Sequence, residues 1–135
     1  MKVWVNGTFD VLHIGHIKLL EKAKSFGEVR VGVDSDERVK KMKGENRPFN
    51  PLSDRMEFIS SLRFVDSVVS FSTDEELMDK IKEWGPNIMI VGDDYKDCNV
   101  IGAEFAEKVV FFEKVPNKST SLILNDKSSN YWRKM

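Results

Sequence analysis

The feature that most constrains this chain is an alternation: short, almost continuously apolar runs take turns with segments whose apolar residues recur at helical spacing. Lys2-Val3-Trp4-Val5-Asn6 is β-branched and aromatic and halts at Gly7, as a buried strand entering a tight turn does. From about Leu12, the residues Leu19, Leu20, Ala23 and Phe26 follow a helical period, with Gly27 as the stop. Val29-Arg30-Val31-Gly32-Val33 reads as the next strand, and Asp34, Ser35 and Asp36 supply caps for a short basic helix through Lys40, Lys41 and Lys43. The prolines and glycine between Gly44 and Pro51 predict an irregular surface loop, after which Ser53 is the candidate N-cap of a helix ending near Phe64. Ser67-Val68-Val69-Ser70-Phe71 is a third strand. A helix starts in the acids Asp74, Glu75 and Glu76 and ends before Gly85-Pro86. Ile88-Met89-Ile90-Val91 is a fourth strand, a helix is predicted over Ala103 to Lys108, Val109-Val110-Phe111-Phe112 is a fifth strand, and Ser119 opens a last helix.

Continuous apolar strands alternating with helices are the pattern of a parallel sheet buried on both faces. The expected fold is therefore one doubly wound α/β domain over residues 1–135, with a five-stranded parallel sheet flanked by helices. In such a sheet the ligand sits beyond the carboxyl ends of the strands, where the loops Asn6 to His16, Asp34 to Pro51, Gly92 to Gly102 and Lys114 to Ser121 gather.

Composition narrows the partners. With Lys+Arg 21 against Asp+Glu 22, the chain has no bulk positive field for duplex nucleic acid, so any phosphate binding is local and no nucleic-acid partner is expected. Cys98 is the one cysteine, which excludes an intrachain disulfide, and it forms no recognised zinc spacing with the two histidines. No metal held by protein ligands is expected, and the expected compartment is the reducing cytoplasm. No apolar run approaches the roughly 18–20 residues of a membrane span. Met1 leads into a strand-like segment rather than a signal peptide, so no membrane partner is expected.

Chemistry concentrates in Gly7-Thr8-Phe9-Asp10-Val11-Leu12-His13-Ile14-Gly15-His16, between the first strand and the first helix. Both histidines of the protein lie here, at positions i and i+3 of one helix face. A helix start offers backbone N–H groups and the positive end of the dipole, and Gly15 leaves room for an anion near the backbone. Imidazoles, glycine and helix terminus together describe a phosphate site.

This run resembles the signature of the HxGH nucleotidyltransferases, the cytidylyltransferase-like superfamily, and the resemblance extends to about Ile123. It implies a Rossmann-like sheet, a nucleoside triphosphate over the first helix, and His13 and His16 on its phosphates. Gly7, Thr8, Phe9, Ile14 and Gly15 are then expected on the nucleotide. The stretch from Lys43 to Met56 and the segment Val65 to Phe71 are similar to the heptose-1-phosphate adenylyltransferase branch. Arg63-Phe64-Val65-Asp66 and Val91-Gly92-Asp93-Asp94 look more like glycerol-3-phosphate cytidylyltransferases. Lys118-Ser119-Thr120-Ser121 resembles a segment common to both. The chain departs from the cytidylyltransferase pattern in carrying Lys114 where an arginine is expected and Asp74-Glu75-Glu76 where a basic contact is. It departs from the heptose pattern in Val91-Gly92-Asp93-Asp94.

A phosphomonoester with a second pKa near 6 is already a dianionic nucleophile at neutral pH, so this chemistry needs no general base. The protein must supply in-line positioning and positive charge for the departing pyrophosphate. His13 and His16 are assigned to charge stabilisation, Lys43 to a flexible clamp across the phosphates and Arg63 to a bidentate contact, making up the catalytic set. Arg55 is either a substrate-phosphate contact or a helix-surface pair. Gly92, Asp93, Asp94, Lys114, Ser119, Thr120 and Ser121 are expected on the nucleotide, and Phe9 either near ribose and base or in the core. Mg²⁺ is expected to ride on the triphosphate. The leading expectation is transfer of CMP from CTP to a small phosphorylated polyol or sugar such as glycerol 3-phosphate. The alternative is transfer of AMP from ATP to a sugar 1-phosphate such as heptose 1-phosphate. From another class, a non-catalytic nucleotide-binding regulatory module competes. A homodimer is expected, with Trp4, Trp84 and several phenylalanines as candidate shared surface.

Overall fold

The computed structural model describes residues 1–92 and 100–112. Five strands form one sheet: β1 (Lys2–Gly7), β2 (Glu28–Asp34), β3 (Ser67–Phe71), β4 (Ile88–Gly92) and β5 (Lys108–Phe112). All pairings are parallel and the order is β3-β2-β1-β4-β5, so the direction of winding reverses between β1 and β4. Four helices connect them: α1 (Ile14–Phe26), α2 (Asp36–Lys43), α3 (Leu52–Ser60) and α4 (Asp74–Trp84). This is the Rossmann-like doubly wound sheet that the alternation of runs predicts.

Strand periodicity divides the core in two. Val3 and Val5 of β1, with Val29, Val31 and Val33 of β2, point to one face, where Leu19, Leu20 and Ala23 of α1 and Ile59 of α3 cover them. Trp4 points to the other face and packs with Phe71, Leu77, Ile81, Trp84 and Met89 beneath α4. Trp4 is fully buried and Trp84 is 8% exposed, so these indoles build the core and leave little area for a partner subunit, contrary to the surface role expected of them. The Trp4 ring packs closely on β2 because position 32 is glycine: a Cβ there would come within 2.6 Å of Trp4 Cζ2.

Caps set the helix ends. Ser35 caps α2 through Arg38 N, and Thr73 caps α4 through Glu76 N. Gly85 ends α4 in the left-handed region at φ 66°. Three boundaries differ from the sequence reading. Helix α1 starts at Ile14 because His13 takes the cap position, and α3 starts at Leu52 after Pro51 and stops at Ser60. The helix predicted over Ala103 to Lys108 is a single 3-10 turn, Ala103–Phe105, because β5 begins at Lys108 and leaves no length for more. The helix predicted from Ser119 lies outside the described residues.

Gly32→Ala tests this packing. The added methyl has no space against a fully buried indole, so the variant should lose roughly 1–3 kcal/mol in denaturant unfolding. An unchanged midpoint would mean that Trp4 does not lie against β2.

Candidate active site

The connection from β1 to α1 is held on both sides before any ligand is considered. Gly7 closes β1 opposite Val33. Thr8, 1% exposed, donates its hydroxyl to Asp34 Oδ2 at 3.0 Å, which ties the loop to the carboxyl end of β2. Phe9 adopts φ 55° and is 2% exposed, its ring edge-on to His16 at 5.4 Å; it belongs to the core and supports the imidazole from behind. Asp10 is the residue that sequence reasoning missed. Its carboxylate accepts Phe49 N at 2.5 Å, Asn50 N at 3.1 Å and Asn50 Nδ2 at 2.8 Å, so it fastens the histidine loop to the proline-containing loop after α2. The sequence signal for it was present in the Gly-Thr-Phe-Asp run.

The histidines cap the helix they begin. His13 stands at the N-cap with extended backbone, and its Nδ1 accepts Gly15 N at 3.0 Å; His16 Nδ1 accepts His13 N at 3.0 Å. This is a reciprocal capping box built from imidazoles instead of a hydroxyl and a carboxylate. The Gly15 N–H, one of the backbone donors at this helix start, is therefore used within the cap. The first turn of α1 contains no acidic side chain, whereas α2 begins with Asp36 and Glu37 and α4 with Asp74, Glu75 and Glu76. The positive end of the α1 dipole is thus left without a carboxylate of its own.

With Nδ1 accepting from the backbone, each neutral imidazole carries its proton on Nε2. The rings lie 4.0 Å apart, centroid to centroid. Burial lowers the His13 pKa to about 4, and burial, then the charges of His13 and Lys43, hold His16 well below the usual imidazole range. Both are neutral at physiological pH and act as Nε2–H donors. Lys43, at the end of α2, is the standing cation beside them, with its Nζ shielded from solvent.

The structure separates the arginines. Arg55 is completely buried: Nε donates to Asn50 O at 2.9 Å, Nη1 to Thr8 O at 3.0 Å and Asp34 O at 2.8 Å, and Nη2 to Asp36 Oδ1 at 2.7 Å. The substrate-phosphate role expected of it is corrected to that of an internal tie, because these bonds keep the guanidinium away from solvent. Arg63 is exposed, with its guanidinium 5.0 Å from the Phe64 ring. It sits in the turn leading into β3, where Asp66 N bonds Val29 O near the amino end of β2. That is the sheet edge opposite the histidines, so Arg63 is not brought to the catalytic set. Asp66, three residues on, pairs with Lys24 at 2.9 Å. Ile14 is 42% exposed on the first turn of α1, Gly15 is buried, and Gly92 closes β4. Asp93, Asp94, Lys114, Ser119, Thr120 and Ser121 lie outside the described residues.

Between the carboxyl ends of β1, β2 and β4, where the winding reverses, a cavity of about 190 Å³ opens. Asn6, Asp34 and Arg38 form its polar wall. A wider hollow of about 630 Å³ lies between α4 and β5, lined mainly by apolar side chains, and no residue of the histidine loop borders it. Among the described residues no three His, Cys, Asp or Glu side chains converge as a metal site. Asp10 is already bonded to backbone and amide donors, so a divalent ion fits better on a polyphosphate than on this loop.

A Rossmann-like sheet with an imidazole-capped first helix and a flanking lysine is the architecture of a nucleotide-phosphate-binding domain. The chain belongs to the cytidylyltransferase-like family, which matches it over residues 4–131. It is 45% identical over 124 residues to bifunctional protein HldE of Campylobacter fetus, covering 91% of this chain and 27% of that one. It is 46% identical over 125 residues to bifunctional protein HldE of a Nitratiruptor species, covering 90% and 26%. The chain thus spans about a quarter of the length of these relatives. Among solved structures, the lipopolysaccharide core biosynthesis protein of Thermoplasma volcanium superposes with a TM-score of 0.72 at 25% identity, over 85% of this chain and 98% of that one.

Two outcomes check the site. Because the unfolded chain binds protons at these histidines below about pH 6.5 and the folded chain resists doing so, their contribution to stability is complete above that pH and is lost as pH falls toward 4. From His13 alone the loss should reach roughly 2 kcal/mol by pH 5, read as a falling denaturation midpoint whose slope lessens in His13→Asn, with the part due to His16 remaining. Replacing Arg55 by Met leaves Asp36 and three carbonyls without their donor and should cost about 3–5 kcal/mol. Wild-type stability in that variant would remove the tie from the account.

Proposed function

We propose that this chain is an adenylyltransferase domain that moves AMP from ATP to a sugar 1-phosphate and releases pyrophosphate. The observation that carries this reading is the pair of neutral Nε2–H imidazoles at an acid-free helix start, with Lys43 beside them. Such donors favour phosphate oxygens whose charge rises during transfer, and they do so without a proton leaving the protein. The acceptor phosphate is already a dianion and attacks the α-phosphorus in line. His13 and His16 donate to the phosphate oxygens, and Lys43 balances the charge gathering on the departing pyrophosphate. Mg²⁺ on the triphosphate would neutralise further charge.

ATP takes precedence over the CTP expected from Arg63 and the Val91-Gly92-Asp93-Asp94 segment. Arg63 lies at the opposite sheet edge, which removes one support for cytidylyl transfer. The relatives named HldE favour the adenylyl alternative and agree with the heptose-branch likeness of the stretch from Lys43 to Met56. Further support comes from the bonds of Asn50 and Phe49 to Asp10, which give that stretch a place beside the histidines.

The test pairs each of the four nucleoside triphosphates with heptose 1-phosphate, mannose 1-phosphate and glycerol 3-phosphate and measures pyrophosphate. ATP with a sugar 1-phosphate should be the fastest pair, and His16→Ala should lower kcat by roughly 100- to 1,000-fold. Greatest turnover with CTP and glycerol 3-phosphate would return the assignment to the cytidylyl reading.

A further inference from the structure

Arg38 is fixed more firmly than its place on a short helix requires. Its Nε donates to Asp34 Oδ1 at 2.8 Å, its Nη2 reaches Asp74 Oδ1 at 2.8 Å, and its guanidinium stands 5.1 Å from the Phe71 ring. The side chain is 16% exposed and lines the 190 Å³ cavity at the carboxyl ends of the strands. Two of its five N–H donors are used by the carboxylates. Asp34 receives Arg38 on one oxygen and the Thr8 hydroxyl on the other, and an ionised carboxylate has acceptor directions beyond these two. The wall therefore offers immobilised donors next to an immobilised acceptor. The rest of the lining is mainly apolar, including Leu19, Met42, Ile90 and Val91.

Two neighbours connect this cavity to the phosphate site. Met42 immediately precedes Lys43, and Leu19 lies one turn along α1 from His16. An acceptor phosphate that comes in line with an α-phosphate held by the histidines would carry its attached group in here. We propose that the cavity holds the sugar ring of the acceptor and that Arg38, with Asp34, reads its hydroxyl groups, so that Arg38 determines acceptor specificity; this rests on the sugar 1-phosphate reading above. A pyranose presents apolar C–H faces and a rim of hydroxyls that both donate and accept, which matches apolar walls with one donor-and-acceptor edge. Among the described residues that line it, no aromatic ring is present on which a purine could stack. Asp74 does not line this cavity, so it acts only by positioning Arg38.

Calorimetric titration of the full chain with mannose 1-phosphate and heptose 1-phosphate, in the presence of a non-hydrolysable ATP analogue, tests the proposal alongside steady-state kinetics. Arg38→Met should weaken binding of the sugar phosphates, and raise their KM, at least tenfold, while analogue binding and the KM for ATP stay within twofold. Asp74→Asn, at an exposed carboxylate, should shift the same acceptor parameters in the same direction by a smaller factor and keep the wild-type melting temperature. Arg38→Lys should recover part of the loss. Weakened binding of the analogue in place of the sugar phosphates would overturn the proposal by assigning the cavity to the nucleotide. Unchanged binding of both would overturn it outright. If wild type releases no pyrophosphate with any pair, the function above fails; the titration still decides whether Arg38 binds a sugar phosphate.

Discussion

The guanidinium of Arg55 is where the candidate site is joined to the fold. It stands on α3, yet its bonds go to Thr8 after β1, Asp34 at the end of β2, Asp36 at the start of α2 and Asn50 before α3. Three carbonyls and a carboxylate around one cation replace the hydration it lost on burial, and only a planar fork of donors can reach so many acceptors at once. The histidine loop and the helix carrying Lys43 are consequently parts of one rigid piece. Asp10 closes the same ring of segments from the other side by accepting Phe49 and Asn50.

This bracing explains how a short loop can keep two imidazoles neutral and directed. A histidine at an N-cap ordinarily has freedom to turn and to take a proton. Here each Nδ1 is committed to a backbone N–H, Phe9 backs one ring, and burial disfavours the charged form. The positive charge available to a polyphosphate is then divided between Lys43 and the helix terminus, and the imidazoles contribute hydrogen bonds. Pre-arranged dipoles of this kind need no reorganisation as charge moves, which is the condition for stabilising a transition state.

The parallel sheet supplies the remaining geometry. Because β1 and β4 are adjacent while their connections leave in opposite directions, their carboxyl ends part and leave a cavity. Helix α4 crosses to the second face and brings Asp74 to Arg38, so a residue of the third connection orders a residue of the second. The same crossing buries Trp4 and Trp84, which is why aromatic content alone is a poor guide to an interface in this chain.

What the sequence by itself determined was local. Five strands and four helices follow from apolar period and from residues such as Ser35, Gly27 and Gly85 at element ends, since these preferences act within a few residues. The His13–His16 pair and its phosphate role were legible for the same reason: a strand, a glycine and a helix in immediate succession. The arginines were not legible. Arg55 and Arg63 sit on or near one helix and look alike as letters, but one points inward beneath the sheet's carboxyl ends and the other outward at the amino ends. Asp10, Arg38 and Asp74 gain their meaning from partners many residues away. Hydrogen bonds of that kind depend on which loops the β3-β2-β1-β4-β5 order brings together, and no local preference encodes that order.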